Sequence, residues 1–203
     1  MQFKRRWLQL SLRTSLIVIS AIAIWLAVKA NDTRRQAEAV SAIREAGGSV
    51  CYDFEYKDIS GCSISGAEPW EPTWLLDLVT INFFHEVYGV NLVGSQVLDG
   101  RDTAADRDYE NVFARLEQLP DVRTLHLAKR QVTDANMTHV GTLTELEGLY
   151  LFDASELTDD GVRRLSKLAN LKYLHIDNSQ ITDQAMEYIA QSSPNLKELV
   201  LQG

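Results

Sequence analysis

The second half of the chain repeats itself, and this periodicity restricts the fold more than any other feature of the sequence. Four segments carry apolar residues at the first, fourth and sixth positions, and they begin 24, 25 and 25 residues apart. These residues are Val122, Leu125, Leu127; Leu146, Leu149, Leu151; Leu171, Leu174, Ile176; and Leu196, Leu199, Leu201. The alternation at the end of each segment predicts a short strand with one buried face.

A second motif follows each of the first three predicted strands. The three copies are Val132-Thr133-Asp134, Leu157-Thr158-Asp159 and Ile181-Thr182-Asp183. Apolar residues then recur at every third position and predict a short helix: Met137, Val140, Leu143; Val162, Leu165, Leu168; and Met186, Ile189. A strand–turn–helix unit cannot bury its apolar face alone. We therefore expect the units to stack around one continuous core.

The aspartates of this motif are interpreted as structural. They stand at the start of each predicted helix, where a carboxylate satisfies free N–H groups and suits the helix dipole. We therefore expect Asp134, Asp159 and Asp183 to cap helices and not to form a catalytic or metal-binding row.

The pattern also extends backward from Val122. Residues Phe113, Leu116 and Leu119 predict a further helix, and Val87, Val90 and Leu92 predict a further strand. Another helix is predicted from Trp74 to Phe84, and alternation at Val50, Tyr52, Phe54 and Tyr56 predicts an opening strand that covers the end of the stack. Between these elements, Gly94 to Asp108 is interpreted as an exposed acidic loop. Its aspartate spacing does not match an EF-hand.

The period, the strand pattern and the Thr-Asp motif resemble leucine-rich repeats. They are similar in particular to short, membrane-anchored bacterial proteins that place a few repeats after one hydrophobic segment. This resemblance implies an α/β fold, a leucine-rich-repeat solenoid of short parallel strands and helices after an N-terminal transmembrane helix. The repeat subtype is similar to that of F-box leucine-rich-repeat proteins, but the chain has no room for an F-box. Because Arg130, Ser155 and Ser179 replace the usual Asn or Cys, no asparagine ladder is expected.

The amino terminus predicts a membrane segment. Residues 14–28 are uncharged and span about 22 Å as a helix, so flanking residues must complete a core about 30 Å thick. Residues 7–28 suffice, with Trp7 and Trp25 near the two ends. The preceding basic residues favour a cytoplasmic N-terminus and an exported repeat domain: Lys4, Arg5, Arg6 and Arg13. A cleaved signal peptide and a buried core helix are the alternatives.

Four regions follow from these features. Residues 1–30 form the basic segment and anchor, 31–48 a juxtamembrane helix, 49–121 a capping and degenerate repeat region, and 122–203 the clear repeats. Asp32 and Thr33 are expected to cap the juxtamembrane helix, and Gly47-Gly48 to end it.

Charge and cysteine content restrict the partners. The net charge is −8, but residues 1–47 hold 8 basic and 3 acidic residues, which leaves 12 basic and 25 acidic residues for the rest. A domain this acidic repels phosphates, so no nucleic-acid partner is expected. The two cysteines, Cys51 and Cys62, form a disulfide if the domain is exported, or remain reduced in a reducing compartment.

The residues between the buried leucines are the candidate binding site, because they point to the concave face of the sheet. The predicted protein-binding residues are His126, Tyr150, Phe152, Tyr173, His175, Asp177 and Glu198. This composition is typical of a recognition surface. The alternative is that the rings only stack across strands. His126 and His175 are two strands apart, roughly 9.6 Å, too far to share a zinc ion.

No catalytic motif, metal site or cofactor is predicted. We therefore expect a non-enzymatic module that binds another protein through its concave face. The alternative is a structural or assembly subunit of the cell envelope that uses the C-terminal edge of the solenoid, at Leu199 to Gln202. An enzyme that uses Asp102 or Asp106 of the acidic loop is the third hypothesis, and nothing in the sequence suggests its substrate.

Overall fold

The repeated leucines form the buried face of a six-stranded sheet. A computed structural model describes residues 12–58, 61–62, 69–93 and 109–203. Its strands are β1 (Ser49–Tyr52), β2 (Tyr56–Asp58), β3 (Gly61–Cys62), β4 (Val87–Asn91), β5 (Thr124–Ala128), β6 (Gly148–Phe152), β7 (Tyr173–Asp177) and β8 (Glu198–Gln202). Its helices are α1 (Leu12–Glu45), α2 (Thr73–Leu78), α3 (Tyr109–Leu116), α4 (Asp134–Val140), α5 (Asp159–Arg164) and α6 (Asp183–Ser192). The chain is thus a mixed α/β protein.

The order of the strands follows the order of the repeats. The sheet runs β1-β4-β5-β6-β7-β8, and β4 to β8 are parallel. Equivalent leucines pair in register, so that Leu125 lies opposite Leu149, which lies opposite Leu174. All four strands predicted from the repeats are confirmed, as are the earlier strand at Val87 and the helix at Phe113. β1 closes the sheet at the other edge by pairing antiparallel with β4.

The core lies between the sheet and the helices that follow each strand. The side chains of Leu125, Leu149 and Leu151 are fully buried, as is Met137 of α4. Burial of such side chains from consecutive units in one cluster explains why the units fold together, since each supplies a wall for its neighbour.

The predicted capping role of the repeated aspartates is wrong, although each aspartate lies in the first turn of its helix, where its charge suits the helix dipole. The threonine of each motif caps the helix: the hydroxyl oxygens of Thr133, Thr158 and Thr182 accept hydrogen bonds from backbone N–H groups two or three residues on. The aspartate joins one unit to the next. The carboxylate of Asp134 accepts hydrogen bonds from the N–H and hydroxyl of Thr158, at 2.9 and 2.7 Å.

The same bridge recurs one unit later, where Asp159 accepts from the N–H and hydroxyl of Thr182 at 2.8 and 2.6 Å. These hydrogen bonds hold the pKa of Asp159 below its usual range. Among the described residues, Asp183 has no partner of this kind. We call the two bridges and their threonines the Asp–Thr ladder.

Asparagine side chains also link the units, although no ladder was expected. The Asn170 amide donates to the Thr144 carbonyl, and the Asn195 amide to the Ala169 carbonyl, both at 3.0 Å. These asparagines precede the strands, whereas the usual ladder position follows them. The sequence signal was the repeated Asn-Leu-Lys at 170–172 and 195–197.

Helix α1 is continuous from Leu12 to Glu45 and crosses the boundary expected at residue 30. Asp32 and Thr33 therefore lie inside the helix and do not cap it; the Thr33 hydroxyl donates to the Lys29 carbonyl. The last turns of α1 belong to the core, where Ala39, Val40 and Ile43 are buried.

The first half of α1 is exposed and apolar. Its exposed side chains are Leu16, Ile17, Val18, Ile19, Ile22, Ile24, Trp25, Leu26 and Val28. By length and composition, with a mean hydropathy of 1.7 over its most apolar window, the helix is able to cross a membrane. A long apolar helix near the N-terminus fits a membrane anchor or a signal sequence.

Two N-terminal predictions need correction. The expected strand from Val50 to Tyr56 stops at Tyr52, because a 3-10 turn at Asp53–Glu55 interrupts it. The expected helix from Trp74 to Phe84 consists of α2 and a separate 3-10 turn at Ile81–Phe83. Val79 between them has extended backbone, which β-branched side chains favour. The acidic loop at 94–108 lies outside the described residues.

Candidate functional site

Parallel pairing in register brings the predicted concave residues together. His126 of β5 lies opposite Tyr150 of β6, Tyr150 lies opposite His175 of β7, and His175 lies opposite Val200 of β8. Because side chains alternate along a strand, these residues point away from the leucine core. All of them are partly exposed.

Four aromatic rings form the centre of this surface, which we call the concave cluster: His126, Tyr150, Phe152 and His175. The His126 and Tyr150 rings are stacked, with centroids 4.5 Å apart and planes 8° apart. Phe152 lies 5.4 Å from His175, and Tyr150 lies 6.4 Å from His175. Contacts of this kind add about 0.5–1.5 kcal/mol per pair beyond area burial and hold the rings in place.

The cluster continues into a shallow pocket on β6, β7 and β8. Its lining includes the rings of Tyr150, Tyr173 and His175 together with the Glu198 carboxylate. Tyr173 and Glu198 lie opposite each other in register. The cavity volume of the pocket is about 70 Å³, well below the roughly 300–1,000 Å³ of typical small-molecule sites. Its size suits a single side chain.

Asp177 stands apart from the pocket. It ends β7 opposite Gln202 of β8, and its backbone carbonyl accepts a hydrogen bond from Ala154. Of the seven predicted residues, the structure thus joins six around the rings and pocket and places Asp177 at the strand end.

Burial changes the chemistry of His126. Desolvation lowers the pKa of its imidazole, because a charged ring is less stable away from water. At neutral pH the ring is therefore neutral, and it stacks on Tyr150 without carrying a charge.

Tyr56 and Thr124 form one border of the surface that carries the concave cluster, and the sequence did not predict this contact. Thr124, two residues before His126 on β5, is buried, and the Tyr56 hydroxyl lies 3.1 Å from its Oγ1 atom. Tyr56 packs edge-on against Tyr88, and the Arg123 guanidinium lies 4.4 Å from the centre of the Tyr88 ring. Burial raises the pKa of Tyr56. The alternation at Tyr56 predicted a strand but not this contact across the sheet.

Another histidine lies outside the concave cluster. His85 is buried after the 3-10 turn at Ile81–Phe83. Its Nδ1 atom lies 2.6 Å from Asp53, and its Nε2 atom lies 2.8 Å from Glu71. The Glu71 side chain is fully buried, and none of the described residues forms a hydrogen bond with its Oε1 atom.

This buried group is joined to α1 by further polar contacts. The Gln36 side-chain amide donates to the His85 carbonyl at 2.7 Å and to Asn82 at 3.2 Å, and the Tyr52 hydroxyl donates to Asn82 at 3.0 Å. We call these residues the N-terminal polar network: Gln36, Tyr52, Asp53, Glu71, Asn82 and His85. The network joins the segment before the repeats that contains Tyr52 to His85, which we call the N-terminal layer, to helix α1.

The described ranges contain no group of three or more His, Cys, Asp or Glu side chains arranged to hold a metal ion. Cys51 of β1 is buried and disulfide-bonded, and the other cysteine of the sequence is Cys62.

Together, the 24- and 25-residue period, the strand–turn–helix units and the parallel sheet with an open face define a leucine-rich-repeat-like arrangement. No family model matches the chain, and no curated protein matches it. Among solved structures, it is similar to the crystal structure of internalin C2 from Listeria monocytogenes, at 27% identity and a TM-score of 0.34. The match covers 43% of this chain and 35% of the internalin chain.

Proposed function

We propose that this protein is a membrane-anchored, non-enzymatic interaction module that binds another protein through its concave face. The observation that carries the proposal is the concave cluster. Four rings lie side by side on a solvent-facing sheet surface, where a fold without a partner needs no apolar groups. Rigid rings with polar edges are the groups that dominate the energetics of protein interfaces.

The pocket beside the cluster supports a specific mode of binding. It is too small for a typical ligand but suits one side chain of a partner. Three rings and the carboxylate of Glu198 line it, a combination that favours a cationic side chain, Lys or Arg. The acidic balance of residues 48–203 would attract a basic partner.

The anchor and the side of the membrane belong to the same proposal. The exposed apolar half of α1 supports insertion, and the preceding basic residues favour a cytoplasmic N-terminus with an exported repeat domain. The disulfide at Cys51 supports export, because disulfides persist in oxidising compartments.

Photo-crosslinking in living cells tests the binding face. A photoreactive phenylalanine analogue replaces Tyr173 in the full chain, and a matched variant carries it at Glu187, an exposed position on α6. We expect a crosslinked adduct with a second protein at position 173 and none at position 187. The double variant Tyr150→Ala/His175→Ala should abolish the adduct, whereas Lys167→Ala/Gln191→Ala on the helix side should not.

Equal adducts at both positions would contradict a concave binding site. An adduct whose mass equals two copies of this chain would favour a second function, that of an assembly subunit. A specific observation supports that alternative: β8 is an edge strand of the described sheet, with Leu199 and Leu201 37% and 44% exposed. Asp183, at the ladder position beside this edge, has no ladder partner among the described residues.

The assembly function is tested by Leu199→Lys/Leu201→Lys in the full chain. Charges on an edge strand prevent pairing with another strand. If the edge drives assembly, this variant becomes monomeric in detergent by light scattering, whereas Tyr150→Ala/His175→Ala leaves the oligomer intact.

A further inference from the structure

Two tryptophans before the repeats are exposed without an evident reason in the fold. Trp70 is 81% exposed, and Trp74, in α2, is 65% exposed. In the described part of the chain after α1, the other exposed large apolar side chains are Leu199 and Leu201 on the far edge of the sheet, and at 37% and 44% they are less exposed than either tryptophan. An exposed aromatic pair of this size marks an interaction surface.

The carboxylate between the two tryptophans turns inward. Glu71 lies between the tryptophans in sequence, but its fully buried side chain binds His85. Pro72, which follows it, is exposed. The segment thus presents two indole rings and a proline to the outside while its carboxylate stays within the protein.

The polar network places this segment beside the exit of α1 from its apolar stretch. Glu71 binds His85, whose carbonyl accepts from Gln36 of α1. The next residue, Glu86, pairs with Lys29 at 2.8 Å. Lys29 directly follows the uncharged residues 14–28, and Gln36 lies about 10 Å further along the helix.

This distance matches the dimensions of a bilayer. With a hydrocarbon core about 30 Å thick and a total thickness of about 40–45 Å, each headgroup region is roughly 5–8 Å deep. A segment fastened to α1 between Lys29 and Gln36 therefore lies at or just outside that region. Tryptophan is enriched at this depth, where its ring is buried and its N–H stays hydrated.

We propose that Trp70 and Trp74 insert into the headgroup region of the membrane that α1 enters. The occupant of this surface is the lipid itself. The inference rests on the proposed membrane insertion of α1. Its consequence is a fixed orientation, since the helix and the tryptophan pair hold the repeat domain against the bilayer at two places.

Tryptophan fluorescence of the full chain in phosphatidylcholine nanodiscs tests this inference. The variant Trp7→Phe/Trp25→Phe leaves Trp70 and Trp74 as the only tryptophans. The variant Trp7→Phe/Trp70→Phe/Trp74→Phe leaves Trp25 and reports insertion of α1. Nanodiscs contain lipids brominated near the headgroup or near the chain end, and circular dichroism verifies that both variants are folded.

We expect headgroup-brominated lipid to quench Trp70 and Trp74 more than chain-end-brominated lipid does. We also expect the fluorescence of Trp25 in the one variant, and of Trp70 and Trp74 in the other, to be weaker in brominated than in unbrominated nanodiscs. Quenching of Trp25 without quenching of the pair would overturn this inference and leave the anchor intact. No quenching of Trp25 would overturn the anchor and the inference together. Blue-shifted but unquenched emission from the pair would indicate a protein contact in place of lipid and would also overturn it.

Discussion

The repeat units and the layer before them are stabilised in different ways. The units from β5 to α6 are joined by contacts that recur with the sequence period, as when Asp134 binds Thr158 and Asp159 binds Thr182. The N-terminal layer is joined to α1 by one buried polar network that occurs once. Periodic contacts distribute stability over many equivalent sites, whereas the single network concentrates it on a few side chains.

The concentrated network should therefore be the most sensitive site. His85→Leu removes the partner of Glu71 and leaves a buried carboxylate uncompensated, which costs about 3–5 kcal/mol. We expect a loss of this size in the free energy of unfolding, measured by urea denaturation of the detergent-solubilised full chain.

A matched histidine provides the control. His139 lies 3.2 Å from Glu117 in a partly exposed pair, and exposed pairs contribute about 0–1 kcal/mol. His139→Leu should thus have little effect. If His85→Leu and His139→Leu lowered the free energy of unfolding by similar amounts, stability would not be concentrated in the N-terminal polar network.

The ladder should show an intermediate effect that depends on position. Asp134→Ala removes two hydrogen bonds to a charged acceptor, each worth about 1.5–3 kcal/mol when its partner is buried and less at this partly exposed site. Asp183→Ala removes the same side chain from the same motif. Among the described residues Asp183 has no ladder partner, so the expected loss is that of the helix-dipole interaction, about 0.3–1 kcal/mol. Equal unfolding free energies for the two variants would show that the ladder does not couple the units.

A glycine beside the ladder sharpens this test. A Cβ atom at Gly161 would collide with the Asp134 carboxylate and come within 2.6 Å of the Leu157 side chain. Overpacking of this kind costs about 1–3 kcal/mol. We expect Gly161→Ala to cost less in the Asp134→Ala background, and a double-mutant cycle measures the difference. If the costs of the two substitutions were strictly additive, the strain caused by Gly161→Ala would not arise from contact with the Asp134 carboxylate.

The smallest effect is expected from pH at the concave cluster. Burial lowers the pKa of His126 below its usual 6.5, so the unfolded chain binds the proton more readily than the folded one. The stability that the folded protein gains from keeping His126 neutral is therefore complete above about pH 6.5. It is lost as the pH falls through that value toward the folded pKa. Asp159, whose pKa is lowered from 3.8, affects stability only in a more acidic range.

Comparison of the unfolding midpoints at about pH 7.5 and about pH 5.5 measures the pH-dependent contribution of His126 to stability. Replacement by His126→Gln should reduce the loss of stability on acidification relative to the unmodified chain. An unchanged pH dependence would mean that His126 is hydrated in the folded protein.

The sequence determined the repeats, since each buried position recurs in register and burial of the leucines needs only the correct period. Four parallel strands, three following helices and the residues of the concave cluster could be assigned in this way. It did not determine the N-terminal layer, where Tyr56 covers Thr124 and His85 lies between Asp53 and Glu71. Those contacts join residues that share no period and lie up to 68 positions apart.

The roles of the aspartates fall between these cases. Their recurrence was visible in the sequence, but their hydrogen-bond partners were not, because the choice between a cap within one unit and a bridge to the next depends on how closely the units stack. Local chemistry fixed the acceptor at Asp134, and only the tertiary structure placed the Thr158 donors 2.9 and 2.7 Å away. Contacts within a unit follow from spacing, whereas contacts between units follow from packing.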